Sequence, residues 1–231
     1  MSTDPSTLAA VTDLPLLYTY RRCPYAMRAR MALLWAQRPF AALEIELRHK
    51  PAALLAISPK ATVPVLHLSD GTVLEQSWDI MAWALQGSEQ EDAWQRAQEP
   101  TMLTLLQRND GEFKRLLDAY KYPERQQLPL GREQARHQAL ETTLMPLEVL
   151  LQHSRYLAGE QPSATDLALW PFVRQFAAVD PAWFEAQALP AVQAWLQRGL
   201  SSALFQTCMA KLPAHTVLAF PKAPPHPFDP P

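Results

Sequence analysis

The apolar positions along this chain alternate and break often up to about residue 86, then recur at helical spacing. Leu16, Leu17, Tyr18 and Tyr20 form a short apolar run that stops at Arg21-Arg22. It passes through Cys23-Pro24 into helical spacing at Met27, Met31, Leu34 and Trp35, which predicts strand, turn and helix. Phe40 to Leu47 predicts a second strand, with Leu43, Ile45 and Leu47 alternating against Glu44 and Glu46. Pro51 opens a short helix that Ser58-Pro59 stops. Thr62–Leu68 and Thr72–Leu74 flank Ser69-Asp70-Gly71, and Asp-Gly between two β-rich runs is a strong hairpin signal. Ser77 is placed to cap a helix over Trp78–Gln86, with Ile80, Met81 and Leu85 inward. The order β-α-β-α-β-β-α makes a mixed α/β unit of roughly 85 residues.

Gly87-Ser88-Glu89 marks a boundary, after which the pattern is helical. A helix from Pro100 is expected to bury Leu103, Leu106, Asp110, Phe113 and Leu117, and Tyr120 to Pro123 ends it. A loop through Leu128-Pro129-Leu130 leads into Gly131–His153, where Leu140, Leu144, Leu147 and Leu151 share a face; Pro146 should kink or split that helix. Ser163-Ala164-Thr165-Asp166 is a capping-box-like start before Leu167, Leu169 and Phe172. Two shorter helices are expected over about 188–198 and 201–211. The tail from Pro213 cannot hold regular helix, since 7 of the 22 prolines lie in the last 19 residues; it is expected extended along the surface or disordered. Residues 1–14 are polar and read as a loose lead-in. The expected division is a first domain at 1–86, an all-helical domain at 87–212 and a Pro-rich tail at 213–231.

Composition narrows the function classes. With 231 residues, 48% hydrophobic and 19% charged, the chain is of the soluble globular type. A net charge of −2 gives no reason to invoke nucleic acid or an anionic membrane. The first 15 residues lack a secretory pattern, and no apolar run approaches the ~20 residues of a membrane span. Two cysteines 185 positions apart, Cys23 and Cys208, do not form a disulfide scaffold, and neither they nor the six histidines show metal spacing, so no metal is expected. These features point to a reducing, cytoplasmic setting in which a free thiol stays available.

The chemistry centres on Cys23. Pro24 suits the first helical position, which puts Cys23 at the N-cap. Helix N-termini and neighbouring cations lower thiol pKa values, and Arg21, Arg22, Arg28 and Arg30 crowd the same few residues, although not all can face the sulfur. The competing reading is an inert buried thiol, which is the one preferred for Cys208. Were the Val63–Pro64 bond cis, the Val63 backbone could turn outward to pair with an extended peptide-like ligand. Gln76 and Ser77, at a helix start, offer polar groups to a carboxylate or simply cap the helix.

Arg22-Cys23-Pro24-Tyr25-Ala26, Ser58 to Leu66, Gln76 to Ile80 and Ser163 to Asp166, in that order, resemble the glutathione S-transferase superfamily over residues ~15–211. The Cys-Pro-Tyr-Ala motif most resembles its cysteine-type members, the omega-like transferases and two-domain glutaredoxin. The resemblance implies a thioredoxin-like α/β domain followed by an all-α domain. It implies that Cys23 forms a mixed disulfide with glutathione and that Val63, beside cis-Pro64, pairs with its cysteinyl part. Gln76 and Ser77 would take the γ-glutamyl end and Lys50 the glycine carboxylate, while Asp166 with Ser163 would be a folding cap. The implied partners are glutathione, a small electrophilic or disulfide substrate, and a second copy of the chain as a homodimer. Tyr25, Phe113, Tyr120 and Trp170 are picked for the second-substrate pocket. Ala26 stands where dithiol glutaredoxins carry a second cysteine, which leaves a monothiol route. Gln76 replaces the omega-like glutamate.

Three readings follow. The first is a glutathione-dependent thiol transferase or reductase acting through Cys23. The second is glutathione conjugation without Cys23 as nucleophile, the thiol being activated by a backbone amide or by Tyr18, Tyr20 or Tyr25. The third is a non-catalytic binding or regulatory protein of the same fold.

Overall fold

The computed structural model describes residues 13–125 and 130–230. Nearly all of the expected lead-in, and Leu128-Pro129 of the expected loop, lie outside the described residues. The chain forms two compact units, Met1–Glu91 with Ser202–Pro231, and Asp92–Ser201.

In the first unit, strand β1 (Leu16–Thr19) leads to helix α1 (Pro24–Trp35), then β2 (Ala41–Glu44) and α2 (Ala52–Ile57). Strands β3 (Val65–His67) and β4 (Val73–Leu74) and helix α3 (Ser77–Leu85) follow. Strands β1 and β2 are parallel, β3 runs antiparallel to β1, and β3–β4 is the hairpin expected at Asp70-Gly71. Gly71 supplies a φ of +88°, and the Thr72 N–H donates to Asp70 Oδ1 at 2.8 Å. Strand β2 is shorter than expected and stops at Glu44, leaving Leu47 51% exposed. Tyr18, Ile45, Leu54 and Val65 form one core cluster, which draws together β1, the end of β2, α2 and β3.

Helix α1 is buried along almost its whole length, Arg28 and Arg30 included. Part of that burial comes from the far end of the sequence. Helix α12, numbered in chain order below, spans Ala203–Cys208 and packs on α1; the Cys208 thiol donates to the Met27 carbonyl at 3.7 Å. The tail then returns as strand β5 (Val217–Ala219), antiparallel to β2, so the sheet order is β4-β3-β1-β2-β5. Phe220 stacks on Phe40 at 4.8 Å and Phe228 meets Trp35 edge-on at 4.9 Å. The N–H groups of Ala203 and Leu204 donate to the carbonyls of Asp229 and Pro227, both at 2.7 Å, so the tail caps α12. Expected to close the helical domain, α12 instead belongs with the first unit, and the Pro-rich tail is a sheet strand with two aromatic anchors.

The second unit is helical: α4 (Glu91–Arg96), α5 (Pro100–Arg108), α6 (Lys114–Lys121), α7 (Arg132–Ala139), α8 (Met145–Leu151), α9 (Ala164–Ala177), α10 (Pro181–Glu185) and α11 (Pro190–Ser201). Helices α5 and α6 are joined by a π-helical stretch at Asn109–Phe113. The extra residue of such a stretch rotates the helix face. Met102, Leu105 and Asn109 are therefore buried, while Leu103, expected inside, is 39% exposed. A second π-helical stretch, Leu140–Leu144, precedes Pro146. Pro146 has no N–H for the Thr142 carbonyl, and Arg108 Nη1 donates to that carbonyl at 3.0 Å. The expected disruption is thus a local widening, with an arginine closing it.

Helix α9 starts at the expected cap. The Ser163 N–H and hydroxyl donate to Asp166 Oδ2 at 2.8 and 2.7 Å. The Leu157 N–H and Trp195 Nε1–H donate to its Oδ1 at 2.9 and 2.8 Å. Burial pushes the Asp166 carboxyl up from the ordinary range, and these four donors pull against it.

Candidate functional site

The loop between β1 and α1 carries the thiol. Cys23 is the N-cap of α1, in extended backbone (φ −76°, ψ 122°), with Pro24 in the first helical turn. Its side chain makes no capping bond. It is half-buried, and its thiol donates to the Val63 carbonyl at 3.5 Å, beside the cis Val63–Pro64 bond. The turn approaching it is tightly held. The Cys23 N–H donates to the Tyr20 carbonyl at 3.0 Å. The Arg21 N–H donates to Glu44 Oε1 at 2.6 Å, and Arg30 Nη2 donates to the Arg21 carbonyl at 2.7 Å.

Three of the four arginines near the thiol in sequence have separate partners. Arg22 donates through Nε and Nη2 to the Tyr20 hydroxyl at 3.2 and 2.9 Å. Arg28 sits over the Tyr25 ring at 5.1 Å and donates to Ser77 Oγ at 3.5 Å. Arg30 is 1% exposed and bridges Thr19 Oγ1, at 2.5 Å, to the Arg21 carbonyl. Not all four arginines can face the sulfur, and Arg22, Arg28 and Arg30 bond a hydroxyl, a ring or the backbone.

The remaining expected site residues are spread over the same unit. Gln76 is exposed and occupies the N-cap of α3 without a side-chain cap bond; Ser77 is the first helical residue, not the cap. Ser77 is buried, its hydroxyl facing Arg28. Lys50 is exposed, immediately before Pro51 at the N-cap of α2. Ser58 donates to Glu75 Oε1 at 2.6 Å, which ties the end of α2 to the residue before Gln76. Of the second-substrate picks, Tyr25 carries Arg28, whereas Phe113, Tyr120 and Trp170 are core residues of the second unit. Phe113 and Tyr120 pack on Phe176 at 5.5 and 5.0 Å, and Trp170 packs on Trp195 at 5.9 Å. Helical spacing cannot tell a ring lining a pocket from one filling a core. Tyr18 is also buried, and burial raises its hydroxyl pKa.

The bonds of Glu44 and Arg30 to the Arg21 backbone and the Arg28–Ser77 contact were not foreseen. Arg28 and Arg30 did carry a signal, being charged residues inside an otherwise apolar helix, but their partners lie up to 49 positions away. Among the described residues, no group of three His, Cys, Asp or Glu side chains is placed to hold a metal, and no helix is long and apolar enough to cross a membrane.

Residues 22–85 match the family model of the glutathione S-transferase N-terminal domain, and residues 124–198 that of its C-terminal domain. Among curated proteins, no sequence matches this chain. Among solved structures the chain is similar to a glutathione S-transferase-I bound with lactoylglutathione, with 18% identity, a TM-score of 0.69, and 85% of this chain and 98% of the other covered. It is similar to a glutathione transferase family member from Pseudomonas fluorescens pf-5 with two glutathione bound: 16% identity, TM-score 0.68, 86% and 93% covered. A glutathione S-transferase from Rhodospirillum rubrum F11 is also similar, with 20% identity, a TM-score of 0.65, and 94% and 99% covered. A thioredoxin-like first domain, an all-helical second domain and two matching domain models together place the chain in the glutathione S-transferase superfamily.

Proposed function

We propose that the protein is a glutathione-dependent thiol transferase, a cysteine-type member of its superfamily, with Cys23 as the nucleophile. The observation that carries this reading is the placement of the Cys23 thiol: at a helix N-cap, uncommitted to capping, and 3.5 Å from the Val63 carbonyl beside cis-Pro64. A helix N-terminus favours the thiolate electrostatically. In the first step the Cys23 thiolate attacks the glutathionyl sulfur of a mixed disulfide. A Cys23–glutathione disulfide forms, and the substrate leaves as its thiolate. In the second step a glutathione thiolate attacks that sulfur, which releases oxidised glutathione and regenerates the Cys23 thiolate. Electrons balance: the attacking glutathione thiol is oxidised to the disulfide level, the substrate sulfur is reduced to a thiol, and the transferred glutathionyl sulfur stays at the disulfide level throughout.

The glutathione contacts belong to the same proposal. Val63 pairs through its backbone with the cysteinyl part, beside Pro64. Gln76 takes the γ-glutamyl end from its exposed N-cap position, with Ser77 held beneath it by Arg28. Lys50 meets the glycine carboxylate. Hydroxyl activation of glutathione is the weaker reading at Tyr18, which is buried with its ionisation disfavoured.

Mass spectrometry after incubation with oxidised glutathione tests the assignment. The expected result is a single glutathione adduct on the peptide containing Cys23. Its absence, with glutathione conjugation surviving in Cys23→Ser, overturns the assignment in favour of the hydroxyl route.

A further inference from the structure

The residues that bear the thiol are anchored from outside by two side chains of opposite charge. Arg30, two turns along α1, reaches back to join Thr19 Oγ1 on β1 and the Arg21 carbonyl in the loop. Glu44, at the end of β2, accepts the Arg21 N–H. The N–H and the carbonyl of Arg21 are thereby both fixed, and the Cys23 N–H closes the turn onto Tyr20. Core packing alone does not explain Arg30. A buried guanidinium is costly, and among the described residues no carboxylate pairs with it; its Nε has no partner. An aliphatic side chain would fill the same space without that cost. What the guanidinium adds is a planar fork that bonds a strand hydroxyl and a loop carbonyl together.

We propose that Arg30 and Glu44 are positioning residues that hold the Tyr20–Cys23 turn, so that the Cys23 sulfur stays at the N-terminus of α1 where its thiolate is favoured. The proposal rests on the reading of Cys23 as the reacting atom. It goes beyond that reading in assigning two residues, neither touching substrate, that set how readily the atom ionises.

The two anchors carry opposite charge, so positioning separates from simple electrostatics. Removing the Glu44 carboxylate by Coulomb's law alone favours a nearby thiolate and speeds its reaction. Removing an anchor of the turn does the opposite. The experiment is the pH dependence of Cys23 alkylation by iodoacetamide on the full chain, followed by peptide mapping to separate Cys23 from the buried Cys208. In that reaction the thiolate forms the C–S bond as iodide leaves, so the rate follows the ionised fraction. Glu44→Ala is expected to raise the midpoint and slow alkylation at pH 6 by about three- to fivefold. Arg30→Met is expected to raise it by about one unit, which is tenfold in rate at pH 6. Arg30→Lys keeps the charge without the fork and is expected to stay closer to Arg30→Met than to wild type.

An unchanged or faster Glu44→Ala overturns the proposal even where Arg30→Met does not fold, and full recovery in Arg30→Lys overturns the fork. The readout needs no glutathione. Shifted profiles without a glutathione adduct therefore sustain the anchors and sink the transferase reading, and an adduct with unshifted profiles does the reverse. A wild-type thiol that alkylates only at the alkaline pH of a free cysteine overturns both.

Discussion

Helix α1 begins at Cys23, whose side chain makes no bond to the first turn, whereas α9 begins at Ser163 beneath a carboxylate that accepts four hydrogen bonds. Both starts lie in the same chain, and both leave the first-turn amide groups that every helix start leaves. In the second unit the capping residue is bound by Asp166, which is fully buried, accepts both the N–H and the hydroxyl of Ser163, and also ties Leu157 and Trp195 to the helix. In the first unit the capping position is given to a sulfur, and the turn before it is braced by Arg30 and Glu44 instead. The difference teaches how to tell a folding device from a reactive one at the same kind of place. A cap whose donors are satisfied within the fold belongs to stability. A helix start whose capping position holds a thiol, on a loop fixed by other means, is where the proposed chemistry would sit.

The largest effects test each end of that comparison separately. Cys23→Ala is expected to reduce glutathione-dependent thiol transfer to the uncatalysed rate while leaving the thermal midpoint nearly unchanged, since Cys23 contributes no cap bond. Enzyme assay and calorimetry on the same sample check both halves. Asp166→Ala is expected to do the opposite. It strands three buried N–H donors, those of Leu157, Ser163 and Trp195, at about 1–3 kcal/mol each. A loss of about 3–5 kcal/mol and a midpoint lower by about 10 °C follow, with activity per folded molecule retained. Loss of activity in the folded fraction of Asp166→Ala would break the division of labour.

A smaller effect comes from the helix that Asp166 helps to hold. A Cβ on Gly199 of α11 would lie 2.4 Å from Trp170 Cε2, so the indole must move. Gly199→Ala is expected to destabilise by about 1–3 kcal/mol through overpacking, read by denaturant unfolding. Glutathione adduct formation at Cys23 should stay as in wild type.

These sites differ in how far they could be read from residues alone. The Cys23 N-cap, the Asp70-Gly71 hairpin and the Ser163–Asp166 cap all rest on partners within a few positions, and local chemistry is enough to place them. The outward turn of Leu103 was hidden because a π-helical stretch shifts the face by one residue, and no side-chain pattern announces it. The return of the tail as β5 was hidden for another reason. Its partner strand lies more than 170 positions earlier, and Val217–Ala219 are exposed, so they carry no burial pattern of their own. Arg30 and Glu44 fall between these cases. Their residue types were plain in the sequence, but only the folded turn at Arg21 shows what they hold. The picks of Phe113, Tyr120 and Trp170 went astray on the same limit, since large rings at helical spacing serve cores and clefts alike.

The smallest effect concerns the tail, which the first unit holds by exposed polar contacts as well as by its aromatic anchors. Glu46, just past β2, accepts from His49 Nδ1 at 3.1 Å and lies 3.7 Å from His215 Nε2, two residues before β5. Hydrogen bonds from His49 and then His215 hold its carboxyl below the ordinary carboxylate range. The sign follows from linkage: a carboxyl whose pKa is lower folded than unfolded stabilises the fold above its unfolded value, about 4.3, and that contribution disappears as pH falls through the lower, folded value. Acidification from pH 5 towards 3 is therefore expected to loosen the His215 end of the tail, seen as faster amide exchange at the backbone of β5. Glu46→Gln should show the faster exchange already at pH 5, and little further change on acidification. The site is fully exposed, so the change in global stability should be too small to move the midpoint measurably. In contrast with Asp166, a carboxylate at the surface adjusts one strand and leaves the unit standing; a midpoint that fell in Glu46→Gln as far as in Asp166→Ala would erase the distinction between the two.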